Sequence, residues 1–475
     1  MVFSSLFFVL LFLPLCLIFY YSMPSIGMKN IVLLVFSLIF YMWAGPTFIL
    51  VMLADALICY FGALLIGRSE GQGKKKAFLI ATVGSVLAIL VYFKYTGFIL
   101  SGVKAVTGFP EVIPQIILPI GISFYTFQLI SYVADVYRGE VKVCRSFFTL
   151  LLYTALFYQC IAGPIVRYST VSRELVRRRL TIDGMYKGMV RFCTGLAKKA
   201  VLANACASLA DELLAAQTLG HASSAAIIAG VFCYTLYIYL DFSAYSDMAI
   251  GMGLATGFHF PENFNYPYVS RSVTEFWRRW HISLSTFFRD YVYIPLGGNR
   301  VSVARHILNL FIVWFLTGLW HGASLNFALW GVYYFILLVI EKYIFEKHDG
   351  RLLHVIGHIT TPLLIAFGWM LFRFTDMSQL LTAFKGIFTL NGNRLYDKAT
   401  YLLLRSNVII LFISFIACMP LYKKCLGKVS SFYRNRGRAD NVTVIWNMIF
   451  SIFCLIISVM ALIGDSYNPF LYFRF

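Results

Sequence analysis

Charge is what this chain has least of. Of its 475 residues only 13% are charged while 60% are hydrophobic, against roughly 25% and 45–50% in a soluble domain. That shortage excludes an ordinary water-soluble fold and marks a polytopic membrane protein. Acidic residues are scarcer still, 21 Asp and Glu against 40 Lys and Arg. No Cys-x-x-Cys pair occurs among the ten cysteines, so neither a disulfide framework nor a zinc site is implied, and the thiols read as small buried hydrophobes. Basic stripes on a water-soluble face are missing as well, which argues against nucleic acid as a partner. No cation precedes Lys29 and no small-residue cleavage site follows the first apolar window, Phe3 to Tyr21, so that window is expected to be a retained helix.

Apolar windows near the roughly 20-residue spanning length begin at Phe3, Ile31, Thr47, Ala77, Ile116, Ser146, Ala222, Ile307, Asn326, His358, Asn407 and Thr443. Several contain Pro, Gly or charge, so ten to twelve spans are expected, some broken or re-entrant. The basic excess gathers in short loops: Arg68 with Lys74 to Lys76, Arg173 with Arg177 to Arg179, and Lys423 to Arg438. Such loops stay cytoplasmic as a rule. With the last cluster inside, the span from Thr443 carries the tail, 465–475, to the outer face. Asn441-Val442-Thr443 then lies inside and is an idle glycosylation sequon. No internal repeat or low-complexity linker divides the chain, which reads as one domain over 1–475.

Four segments carry polar residues where an ordinary span would not. In Leu118 to Val141, Pro119 and Gly121 weaken the helix start, after which Tyr125, Gln128, Tyr132 and Asp135 fall on one helical face. That stripe either lines a wet cavity or hydrogen-bonds neighbouring helices. Tyr237 to Gly251 holds Asp241 and Asp247, about 240° apart around a helix, so they are not a paired acid/base device. Asp247 could orient an imidazole or bind a cation, with capping or a loop contact as the plain alternative.

The third segment, Pro261 to Arg300, reads as turn residues followed by one amphipathic interfacial helix. Trp277, Trp280, His281, Leu284, Phe287, Phe288 and Tyr291 share its apolar face, Glu275 pairs with Arg278 and Arg279, and Pro295 ends it. The fourth, Trp314 to Tyr333, interrupts two apolar runs with Trp320-His321-Gly322-Ala323. A titratable imidazole at membrane depth is expensive and therefore a functional candidate. Small residues after it would let a backbone or a substrate approach closely. His281 and His321, each preceded by Trp, are thus candidate general bases. For His281 a packed imidazole is the competing reading.

The run ENFNYPYVSRSVTEFWRRWHISLSTFFRDYVYIPLGGNR, followed by WHGAS, resembles the membrane-bound O-acyltransferase family, in its bacterial alginate O-acetyltransferase-like branch. LPIGISFYTFQ, DFSAYSDMAIG and the terminal FLYFRF are similar too. The resemblance covers about residues 118–334 and the tail. It implies an all-α fold, a ring of about 10–12 transmembrane helices with re-entrant or interfacial pieces around a central funnel. His321 matches the family's catalytic histidine and His281 its second motif histidine. The expected activity moves an acyl group, of acetyl type, from a cytoplasmic thioester toward hydroxyls of an extracytoplasmic polysaccharide, in a bacterial cytoplasmic membrane.

Such chemistry needs a base for the hydroxyl proton and donors for the tetrahedral oxyanion. His321 is the expected base. His281, Asn263, Asn265 or Asn326 could orient the acceptor or stabilise the oxyanion, with Tyr125, Gln128 and Asp247 as further substrate-binding candidates. No metal and no bound cofactor are expected, the donor being acetyl-CoA or another acyl thioester. The partners implied are membrane lipids, the polysaccharide acceptor and an exported SGNH-type or related transferase. Tyr472, among the tail's aromatic residues, could be a transient acyl acceptor, the alternative being an interfacial aromatic belt. Two rival functions stay open. One is D-alanyl transfer to teichoic acid, which shares the two His motifs; the other is transport of a lipid-linked glycan, which would leave both Trp-His pairs unexplained.

Overall fold

A computed structural model of the chain describes residues 1–110, 112–345, 351–421, 439–464 and 470–471. The basic cluster from Lys423 to Arg438 and Tyr472 lie outside the described residues. The fold is all-helical, with no strand among the described residues. Among the described residues seven helices are long and apolar enough to cross a membrane: Phe48–Arg68, Gln72–Thr107, Ser224–Ala255, Val303–His321, Leu325–Ile344, Ile356–Arg373 and Val444–Gly464. The pair Lys398–Ser406 and Val408–Ala417, bent by 63°, makes an eighth if counted as one broken span.

Length therefore sorts the twelve windows. Those at Phe3 and Ile31 form the shorter apolar helices Phe8–Ser22 and Ile26–Met42, and those at Ile116 and Ser146 form Ile122–Arg138 and Phe147–Ala155. Nine residues rise only about 14 Å as a helix, half a bilayer core. The Ile122–Arg138 helix begins at Gly121, whose φ of +76° and position, 2.2 Å from the Cys160 carbonyl to where a Cβ would stand, admit only glycine. The nine described free cysteines are all buried.

The chain forms two compact units. The first comprises Met1–Phe192, Met248–Glu262 and Thr286–Val292; the second comprises Cys193–Asp247, Asn263–Ser285 and Tyr293–Phe475. In the first unit the polar stripe is absorbed by its neighbours. Tyr125 is fully buried with its ring edge-on to Tyr41 at 6.3 Å. Gln128 Nε2 donates to the Gln159 carbonyl at 3.4 Å, the Cys144 N–H donates to Tyr132 Oη at 3.0 Å, and Tyr291 Oη donates to Asp135 at 2.6 Å. These hydrogen bonds tie the helix to neighbouring segments: Gln159 and Cys144 lie between helices, and Tyr291 in the helical turn Arg289–Tyr293.

In the second unit, Val303–His321 and Leu325–Ile340 pack backbone to backbone. A Cβ on Gly318 would stand 2.3 Å from the Phe327 carbonyl, and one on Gly331 2.4 Å from that of Trp314. The helix Val273–Arg279 is capped twice at its start. Ser272 Oγ accepts from the Glu275 N–H at 3.0 Å, and the Glu341 carboxylate accepts from Val273 N–H at 2.7 Å and Thr274 N–H at 3.1 Å.

That helix departs from the single amphipathic helix expected here. The segment is two helices, Val273–Arg279 and Ile282–Phe288, broken at Trp280-His281. Trp280 leaves the first helix with extended dihedrals (φ −104°, ψ 132°), and His281 follows at φ +42°, the left-handed region. The preceding ENFN segment satisfies the broken backbone. The Asn265 N–H donates to the Arg279 carbonyl at 2.9 Å, and the Asn263 carbonyl takes the Ile282 N–H at 3.0 Å. The aromatic face of the break is covered by protein, with Trp277 edge-on to Trp314, Trp330 and Tyr334 and Trp280 against Phe276 and Trp369.

Candidate active site

The two Trp-His pairs, forty positions apart in the chain, meet in the second unit. The Trp320 ring lies 5.8 Å from the His281 imidazole and 5.0 Å from that of His321, touching both. His281 is 1% exposed and His321 5%. Each sits where its helix ends: His281 between two short helices, His321 as the last residue of Val303–His321, capped by Gly322.

Asn263 sets the chemistry of His281. The Asn263 side-chain oxygen accepts from the Ser283 N–H at 3.2 Å and from Ser283 Oγ at 2.8 Å. A backbone N–H can only donate, so the oxygen and not the amide nitrogen must face this cluster. His281 Nδ1 lies 3.2 Å from the same oxygen and must therefore carry the proton, which leaves Nε2 as the basic nitrogen of the neutral ring. Asn263 is itself anchored, its Nδ2 donating to Ser246 Oγ at 3.2 Å. Phe242 closes one side of the imidazole, edge-on at 4.6 Å. Burial, with the neighbouring His321 adding to it, holds the His281 pKa well below the usual imidazole range, so the ring is neutral near pH 7.

Aromatic rings enclose His321. Trp330 lies 5.0 Å away and Phe372 5.3 Å, both edge-on. The small residue after it is needed, for a Cβ on Gly322 would stand 2.2 Å from the Phe327 ring. It is Phe327 that takes this room. Asn326 stands behind the wall: its Nδ2 donates to the Leu371 and Phe372 carbonyls at 3.2 and 3.4 Å, and its oxygen accepts from Ser324 Oγ. That amide fixes Phe372, and through it one side of His321.

Of the remaining candidates, Asn265 is exposed and bonds Arg279 through its main chain. Tyr125 and Gln128 belong to the first unit and the histidines to the second. Asp247 pairs with Lys198 at 2.7 Å. Four residues escaped the reading of the sequence: Ser246, Ser283, Lys198 and Lys199. Only the lysines carried a signal, two adjacent cations running into an apolar stretch. Among the described residues no cluster of His, Cys, Asp and Glu could hold a metal.

The membrane-bound O-acyltransferase family model matches residues 140–349, which contain both histidines. Over the whole of both chains, this one is 36% identical to a probable alginate O-acetylase of Pseudomonas putida. The chain belongs to the membrane-bound O-acyltransferase family. It is an acyltransferase, and a multi-pass membrane protein. Likeness to other members of the family varies in extent. A peptidoglycan O-acetyltransferase of Helicobacter pylori is 29% identical over 100% of this chain and 98% of its own. A teichoic acid D-alanyltransferase of Bacillus subtilis is 27% identical over 53% of this chain and 68% of its own.

Proposed function

We propose that the protein moves an acetyl group from a cytoplasmic thioester, acetyl-CoA or a related donor, toward hydroxyls of an extracytoplasmic polysaccharide, from a bacterial cytoplasmic membrane. The observation that carries this reading is the convergence of both imidazoles on Trp320 inside a family of acyltransferases. His321 acts as the general base, taking the proton of the acceptor hydroxyl as its oxygen attacks the thioester carbonyl. The tetrahedral oxyanion then collapses, expelling the thiolate, which recovers the proton from the imidazolium. The neutral, Asn263-oriented ring of His281 has its proton on Nδ1, so its Nε2 orients the acceptor by accepting from a group other than the hydroxyl that His321 deprotonates. Water is excluded by the indoles and Phe372, which strengthens each electrostatic contact during the reaction. Asn326 serves by holding Phe372.

The polysaccharide receives its acetyl group from an exported SGNH-type transferase, this protein supplying the group across the membrane, with Tyr472 as the candidate carrier residue. An acetyl rather than a D-alanyl group is favoured by the extent of likeness: the two O-acetylating relatives named above match along the full chain and the D-alanylating one along about half. The experiment is to reconstitute the purified protein in nanodiscs with acetyl-CoA labelled in the acetyl group and, separately, with a D-alanyl carrier thioester. Thioester consumption and labelled product are expected with the first donor alone. Turnover of the D-alanyl donor alone would reverse the assignment.

A further inference from the structure

Buried charge in the second unit is arranged around a piece of main chain far away in sequence. Lys199 and Asp241 form an ion pair at 2.7 Å with side chains 0% and 1% exposed. The other Asp241 oxygen accepts the backbone N–H of Leu471 at 2.8 Å, 230 positions on. The Lys199 ammonium stands 4.7 Å from the ring centroid of Phe470, which itself packs edge-on against Tyr245 at 5.1 Å. Phe470 and Leu471 are both buried, 1% and 4% exposed. The pair therefore presents an acceptor to the main-chain donor of Leu471 and a cation to the aromatic face of Phe470.

Stability does not account for such a pair. Desolvating both charges offsets much of their attraction, and replacing a buried ion pair by apolar side chains of similar size is often neutral or favourable. What apolar side chains could not do is accept the Leu471 N–H. Asp241 is followed on the same helix by Phe242, whose ring closes one side of His281. Leu471 in turn packs into the apolar cluster that contains Trp280, Trp330 and Phe372. The seat is thus built into the walls of the histidine site.

We propose that Lys199 and Asp241 are positioning residues that seat Phe470 and Leu471 in the wall of the histidine site, and that acyl transfer requires these two residues to be seated. This rests on the acyl-transfer reading. Two variants separate the parts. Lys199→Met/Asp241→Leu removes both charges together, leaving neither buried alone, while Leu471→Pro removes the N–H and keeps the pair, with Leu471→Ala as the control for the lost leucine side chain. Hydrogen–deuterium exchange of peptides covering residue 471 reads the seat in the double variant and residue 470 onward in the proline variant. Acyl-transfer kinetics with the thioester donor read the consequence.

The wild type is expected to protect this segment. Both variants should lose the protection, keep their melting temperature within a few degrees, and lose kcat on the order of 100-fold with the donor KM little changed, the size of effect a small misplacement of the reacting groups produces. Protection that survives in both variants would overturn the seat. Protection lost with kcat unchanged would overturn the positioning role. A wild type that protects the segment yet transfers no acyl group from any thioester would sink the acyl-transfer reading and the positioning role with it, leaving the seat in place.

Discussion

Asn263→Ala is the substitution whose consequences the geometry defines most closely. The Asn263 oxygen is the shared acceptor for Ser283 N–H, Ser283 Oγ and His281 Nδ1, and the residue is fully buried. Without it the Ser283 N–H loses this acceptor. The Ser283 hydroxyl, 3.5 Å from His281 Nδ1, could turn toward the imidazole and rescue part of the loss. Losing the acceptor of one or two buried donors, at about 1–3 kcal/mol each, gives a destabilisation of about 1–6 kcal/mol. The kinetic effect is separate: an unheld imidazole can shift its proton to Nε2 and rotate, and acid–base and orienting contributions of this kind are worth about 100- to 10,000-fold. Acetyl transfer by the purified variant, alongside its thermal unfolding, should show a loss in kcat well beyond what partial unfolding explains. Asn263→Asp keeps the acceptor but places a carboxylate beside the ring, so it should retain more activity and move the acidic limb of the pH–rate profile to higher pH. An Asn263→Ala protein that is destabilised yet keeps kcat within about twofold of wild type would refute the orienting role.

Other outcomes follow from the same contacts. Because burial depresses the His281 pKa below its unfolded value near 6.5, the unfolded chain binds more protons below that pH. Stability should therefore be complete above about pH 6.5 and fall as the pH is lowered toward 5, a slope that His281→Gln should reduce in pH-dependent melting curves. Gly331→Ala forces a methyl against the Trp314 carbonyl and should cost about 1–3 kcal/mol, read as a lowered melting temperature. Glu341→Ala strips the acceptor from Val273 and Thr274 N–H, and should destabilise by about 1–3 kcal/mol while Glu341→Gln restores part of it.

Much of the fold is legible in the sequence because the bilayer imposes it: a window of the right length and composition has few alternatives to a helix. Where helices stop is less legible. The apolar period from Trp277 to Tyr291 runs unbroken through Trp280-His281, and the break exists because Asn263 and Asn265, which precede it by 14 or more positions, satisfy its exposed backbone groups. A period counts side chains on one helix and is blind to acceptors from elsewhere. Both histidines were visible, since an imidazole after Trp in an apolar chain is conspicuous; that Trp320 touches both was not. Asn326 looked like a site residue by proximity to His321, yet its amide is committed to carbonyls at positions 371 and 372. Asp241 and Asp247 could be separated by helix rotation alone, but their partners, Lys199 and Lys198, lie more than 40 positions upstream, beyond what local spacing can report.

The central claim is that His321 is the base of an acyl transfer, and the most direct measurement is single-turnover transfer of labelled acetyl from thioester to acceptor by purified His321→Ala in nanodiscs, with melting temperature as the check on folding. The account predicts a folded protein whose transfer rate falls by about 100- to 10,000-fold. A folded His321→Ala protein transferring within a few-fold of wild type would contradict it.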